Sequence, residues 1–309
     1  MRVFVTGASG WIGSAVVPEL LSAGHEVVGL ARSDASAAAI AAAGAQAHRG
    51  SLDDLDSLRA GADGSDGVIH LAFNHDFSDY AGAGRTERAA VETLAGTLAG
   101  SDRPFLLASG MAGIVQGRLA TESDLFGLSG PDAPRGGSEN LALEYADRGV
   151  RAVSLRFAPT VHGEGDHGFM SAIVGAARAT GVSGYVGDGA NRWPAVHRLD
   201  AALLVRLALE TAPAGTVVHA VGEEGIEARE IAEVIGRHLG LPVVSVAPDD
   251  AFGHFGWIGA FFSRDIAASS TLTRERFGWT PTHPTLIEDL EAGYYFRETS
   301  AEAVRPTVG

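Results

Sequence analysis

The chain has 309 residues, 46% of them hydrophobic, a formal charge of −15 and no cysteine. That length suffices for one large domain, or a domain with a smaller lobe, and the acidic balance excludes nucleic acid or an anionic membrane as a partner drawn in by charge. Without cysteine there is no disulfide framework, thiolate nucleophile or cysteine metal site, which suits a reducing compartment, so a cytoplasmic location is expected. Lysine is also absent, so all 23 basic residues are arginine and Schiff-base chemistry is excluded.

The opening stretch MRVFVTGASGWIG organises the rest. Val3, Phe4 and Val5 read as a short strand, and Ile12, Val16 and Leu20 recur at helical spacing. Between them Gly7 permits a tight turn, Gly10 bares the backbone and Gly13 lets the helix pack close to the strand, with Ser9, Trp11 and Ile12 completing the turn. Unpaired N–H groups and the positive dipole end of the helix then favour the pyrophosphate of a dinucleotide. The apolar run is too short and glycine-broken to read as a signal peptide or membrane span.

Residues 26–31 (EVVGLA) form a second strand ending in Arg32 and Ser33. At this place an acidic residue accepts from a ribose 2′-hydroxyl and an arginine accommodates a 2′-phosphate, so NADP(H) is expected, with Asp34 capping the alanine-rich helix that follows. A third strand at 45–48 leads to Ser51 and Leu52, with Asp53 opening a helix. A fourth at 68–71, ending in Leu71, leads to Ala72, Phe73 and His75. A long helix to about residue 100 precedes the fifth strand, 104–109, which ends at Ser109. A polar segment spans 110–134, then a helix covers 136–148 and a sixth strand 150–156, followed by Phe157 and Ala158. Alternating strands and helices predict a doubly wound parallel sheet of the Rossmann type, with residues 1–160 as the dinucleotide-binding domain. Residues 161–309 read as a smaller substrate lobe, some of whose segments return to the sheet.

Several motifs carry a family resemblance: TGASGWIG, HLA (70–72), LLASG (106–110), SLRFAPTVHG (154–163), WPAVHRLDAA (193–202) and SSTLTRERFGWTPTHP. With them, nearly the whole chain resembles the extended short-chain dehydrogenase/reductases, the group that contains epimerase- and dehydratase-like proteins. The resemblance implies a serine after the fifth strand, which Ser109 supplies, and a Tyr-x-x-x-Lys pair opening the helix before the sixth. At those two positions stand Pro131 and Arg135. Arg135 retains a permanent charge able to donate to ribose hydroxyls, whereas the phenolic acid is missing. Relatives often pair through the helices flanking the fifth strand, so a homodimer is a further expectation.

A replacement acid must reach the reacting atom, and histidine is poised near neutral pH. His75 and His167 are the first candidates, with His162 behind them. His75–Asp76 and the His162 to His167 loop also invite a metal reading, but no helical His-x-x-x-His pair is present and no metal is expected. Asp200 reads as a helix cap, and Trp193 as the wall of a pocket. The candidate cofactor contacts are therefore Gly7, Ser9, Gly10, Trp11, Ile12, Gly13, Arg32, Ser33, Ser51, Leu52, Leu71, Ala72, Phe73, Ser109, Arg135, Phe157 and Ala158. The expected activity is NADP(H)-dependent reduction of a carbonyl or related C=X group on a small apolar or aromatic metabolite. The alternatives are a non-catalytic NADP(H)-binding sensor, and an epimerase- or dehydratase-type lyase or isomerase.

Overall fold

The computed structural model describes residues 1–74, 79–115 and 117–297. In chain order the first half runs β1 (Arg2–Thr6), α1 (Gly13–Ser22), β2 (Glu26–Ala31), α2 (Asp34–Ala42), β3 (Gln46–Arg49), α3 (Leu55–Asp63), β4 (Gly67–His70), α4 (Tyr80–Leu98), β5 (Pro104–Ser109), α5 (Ser138–Glu144) and β6 (Arg151–Phe157). The second half runs β7 (Thr160–His162), α6 (Phe169–Thr180), β8 (Ser183–Val186), β9 (Arg192–His197), α7 (Arg198–Thr211), β10 (Thr216–Ala220), β11 (Glu223–Glu227), α8 (Ala228–Leu239) and β12 (Val243–Val246). Four short helices close the chain: α9 (Ala251–Phe255), α10 (Gly259–Phe262), α11 (Thr271–Phe277) and α12 (Leu286–Glu291).

Seven strands make one parallel sheet in the order β10-β6-β5-β4-β1-β2-β3. The central strands are apolar on both sides because helices cover both faces. Val3, Val5, Ile69, Leu106 and Val153 belong to one core, and Phe4, Val68, Phe105 and Leu107 to the other. The strand order reverses between β1 and β4, which opens a crevice at the carboxyl edge, where ligands bind in such sheets. Every turn singled out from the sequence, after β1, β2, β3, β4, β5 and β6, lies on that edge. The lobe beside it holds a three-stranded sheet, β11-β9-β7, and the pair β12-β8, while β10 returns to the main sheet beside β6. Among the described residues no helix is long and apolar enough to cross a membrane.

Local readings differ in three places. Ser33, rather than Asp34, caps α2 in a reciprocal capping box with Ser36, and the Asp34 carboxylate pairs with Arg49 at 3.1 Å. Asp54, rather than Asp53, caps α3 through the Ser57 amide. The helix expected over 136–148 is the single piece α5 between 3-10 turns at Pro134–Gly137 and Tyr145–Arg148, because glycines 136 and 137 are poor helix formers.

Candidate active site

The glycine turn is built as its spacing requires. Gly7 has φ of +69°, and a Cβ there would lie 2.8 Å from the Ala72 amide nitrogen; a Cβ on Gly13 would lie 2.0 Å from the Gly7 carbonyl oxygen. Both obstacles are backbone, so neither can move aside. Gly10 donates to the Gly7 carbonyl at 2.9 Å, and the amides of Trp11 and Ile12 have no acceptor among the described residues. No acidic residue stands in the first turn of α1, leaving its positive end open to an anion. Thr6 Oγ1 accepts from the Ala72 amide at 3.2 Å, and Leu71 N–H donates to the Thr6 carbonyl, so the turns after β1 and β4 are one unit.

Arg32 follows β2, exposed and with no ion-pair or hydrogen-bond partner among the described residues. Ser33 beside it is also exposed, though its hydroxyl is committed to the cap. Ser51 and Leu52 follow β3 half-buried, and Leu52 packs on the second core. Ser9 is exposed, and Phe157 and Ala158 are buried at the end of β6, where the Ala158 amide donates to Ala220. Ser109 closes β5, buried, and sits in register with Arg156 of β6.

The structure adds to Arg135 a set of neighbours that the sequence does not announce. Its backbone has φ of +51°, one of two non-glycine residues with positive φ among those described, a conformation costing of order 1–3 kcal/mol unless the surroundings enforce it. Its side chain is held by Glu87 of α4, whose carboxylate receives Nε at 2.9 Å and Nη2 of Arg135 in a two-pronged pair. The Glu87 side chain is 1% exposed and that of Arg135 25%. Burial pushes the Glu87 carboxyl above its ordinary range, against the pull of the Arg135 guanidinium. Phe73 lies flat beneath this guanidinium, 4.4 Å from ring centroid to Cζ, and meets Tyr80 edge-on at 6.2 Å. Tyr80 feels both charges; its phenol is raised, chiefly by burial. Under the cluster is His70, fully buried, its Nδ1 2.6 Å from Thr6 Oγ1 and its Nε2 without a partner among the described residues. Burial, helped by Arg135, pulls this imidazole down to about 3, so it stays neutral.

The histidines separate. His75 lies outside the described residues. His167 is exposed and rests edge-on against Trp11 at 5.6 Å, beside the cofactor turn. His162 is fully buried, with Nδ1 2.6 Å from Asp289 Oδ2 and Nε2 without a hydrogen-bond partner among the described residues. His75 and Asp76 of the suggested metal grouping lie outside the described residues, and among the described residues His162 and His167 belong to no cluster of three potential ligands. A different trio, His197, Asp200 and His283, has ligand atoms within 4.8 Å of one another; Asp200 there accepts from Thr282, from the His283 amide and from the His283 ring, and His197 Nδ1 accepts from the Leu199 amide. Asp200 thus anchors the 280s segment, correcting its reading as a cap of α7; His197 is that cap. Trp193 is fully buried and donates to Thr160 at 2.6 Å, so it is core and not pocket wall.

Comparison with known proteins agrees with this layout. Residues 3–99 match the NAD dependent epimerase/dehydratase family. An uncharacterised protein of Schizosaccharomyces pombe is 49% identical over 297 residues, covering 96% of this chain and 100% of its own length. The chain belongs to the NAD dependent epimerase/dehydratase family. A second uncharacterised relative, from Saccharomyces cerevisiae, is 47% identical over 296 residues, covering 95% of this chain and 99% of that one. Among solved structures, dTDP-glucose 4,6-dehydratase from Streptomyces venezuelae, with NAD bound, superposes with a TM-score of 0.75 at 22% identity, covering 96% of this chain and 97% of that one. This likeness shows the shared Rossmann-type fold of the epimerase/dehydratase group.

Proposed function

We propose that this family member is an NADP(H)-dependent oxidoreductase that reduces a carbonyl or related C=X group of a small apolar or aromatic metabolite. The observation that carries the reading is the glycine cradle with its unpaired Trp11 and Ile12 amides, set on the same sheet edge as Ser109, with Arg135 over Phe73 of the turn after β4. The residues fit a dinucleotide: Cβ-free backbone at Gly7 and Gly13, a helix end open to phosphate, and an unpaired Arg32 where a 2′-phosphate would lie. Such a cofactor supplies hydride chemistry when bound.

The protein's share is positioning and polarisation. Ser109 offers a hydroxyl to the acceptor oxygen, and Arg135, fixed by Glu87, offers its remaining N–H groups to the nicotinamide ribose or to developing oxygen charge. No phenol stands at position 131, and Tyr80 is the phenol that shares the electrostatics of Arg135 and Glu87. Burial raises this phenol, so it is protonated at neutral pH like any tyrosine and is a weaker acid than a free one. One observation favours the sensor alternative: Arg135 is already committed to a carboxylate. Titration with NADPH and NADH, followed by a carbonyl-substrate screen, separates the readings. Binding with turnover supports the reductase, binding without turnover across the screen supports the sensor, and no binding refutes both.

A further inference from the structure

Arg198, the first residue of α7, comes from the lobe and yet lies over the cofactor turn. Its Cζ is 4.2 Å from the centroid of the Trp11 ring, and its stem runs so close to Gly163 that a Cβ there would lie 3.3 Å from Arg198 Cδ. The Trp11 indole is itself fixed, donating to the Val161 carbonyl at 2.6 Å with His167 against its edge. Among the described residues Arg198 has neither a carboxylate partner nor a hydrogen bond. The nearby Asp200 is occupied by Thr282 and His283. In a chain of net charge −15, a half-buried guanidinium left without a counter-charge is one that waits for an anion from outside.

We infer that Arg198 is a ligand of the dinucleotide pyrophosphate, reaching across from the lobe to the phosphates that the Trp11 and Ile12 amides receive. This rests on the proposed dinucleotide site and adds a residue to it. Stacking on an indole holds the guanidinium plane and directs its five N–H groups outward in that plane. A pyrophosphate at the α1 terminus then meets backbone donors from one side and a planar cation from the other, the geometry in which arginine binds phosphate best. The pyrophosphate is common to NADPH and NADH, so Arg198 adds affinity for both without choosing between them. Arg32, facing the adenosine ribose, makes the choice.

The test is a titration of NADPH and NADH, followed by tryptophan quenching, on the wild type, Arg198→Met and Arg32→Ala. Arg198→Met keeps the stem packed on Gly163 and removes only the charge and donors; Arg198→Gln serves if the Met variant does not fold. The expected result is a loss of about 10- to 100-fold in affinity for both nucleotides alike, the range for a hydrogen bond to a charged group, with Arg198→Lys recovering part of it. Unchanged affinity in Arg198→Met, or a loss confined to NADPH, overturns the inference while leaving the proposed function standing. A wild type that binds neither nucleotide overturns both.

Discussion

Replacing one member of the Glu87–Arg135 pair should cost far more than replacing the other. Arg135→Met leaves a carboxylate with a side chain only 1% exposed and no counter-charge, whereas Glu87→Gln leaves a guanidinium that is 25% exposed, can turn toward water and retains an amide oxygen to donate to. Stranding a buried charge costs about 3–5 kcal/mol; weakening the pair while keeping a hydrogen bond costs about 1–2 kcal/mol. At roughly 2 °C per kcal/mol for a chain of this size, Arg135→Met should melt about 6–10 °C below wild type and Glu87→Gln about 2–4 °C below. The larger penalty should depend on pH. Burial already raises the Glu87 carboxyl against the pull of Arg135, and without Arg135 it rises further. A carboxyl raised in the folded state favours folding when protonated, and that contribution is lost as pH climbs through its folded pKa. Arg135→Met should therefore recover stability on acidification from pH 8 toward 5, relative to wild type. The double variant Arg135→Met/Glu87→Gln should be more stable than Arg135→Met alone. Thermal melts of the four proteins across pH measure all of this. Equal penalties for the two single variants, or a penalty for Arg135→Met that ignores pH, would refute the buried-pair account.

Other predictions are as direct. Gly13→Ala places a Cβ 2.0 Å from the Gly7 carbonyl oxygen, so it should destabilise the fold by about 3 kcal/mol or more and abolish nucleotide binding; a normally stable variant with full affinity would contradict the close packing. Arg32→Ala should weaken NADPH about 10- to 100-fold and leave NADH within about twofold, and equal losses for both would refute the 2′-phosphate role. His70 is held near 3 in the folded chain against about 6.5 unfolded. Only the unfolded chain takes up that proton as pH falls below 6.5, so stability present above that point is lost at about 1.4 kcal/mol per unit. Urea unfolding of His70→Asn should show a pH 7.5 to 5.0 difference about 2 kcal/mol smaller than wild type, and an unchanged difference would sink the assignment. Once a substrate is in hand, Ser109→Ala should lower kcat about 100-fold with little change in NADPH affinity, read by titration beside the kinetics.

What could be read from the sequence was local. Three glycines within seven residues have roles set by their immediate neighbours, so the turn, its strand and its helix were legible together, and the alternation of segments carried the sheet with them. The Ser33–Asp34 choice was not legible because either side chain can cap a helix; Asp34 is drawn off by Arg49 of β3. Asp200 looked like a first-turn cap and is instead held by a segment more than 80 residues later. Trp193 as a wall and Trp193 as core differ only in what packs against them. The largest omission was Glu87, which reads as one polar residue on a long helix until α4 is laid beside the turn holding Arg135, 48 residues away. A lone arginine at the usual lysine position therefore showed a charge but not the carboxylate that holds it.

The central claim is that the cradle after β1 takes a 2′-phosphorylated nicotinamide dinucleotide. Calorimetric titration of the wild-type chain with NADPH and with NADH tests it most directly. The account predicts one site per chain and tighter binding of NADPH; binding of neither nucleotide, or NADH as the tighter of the two, would contradict it.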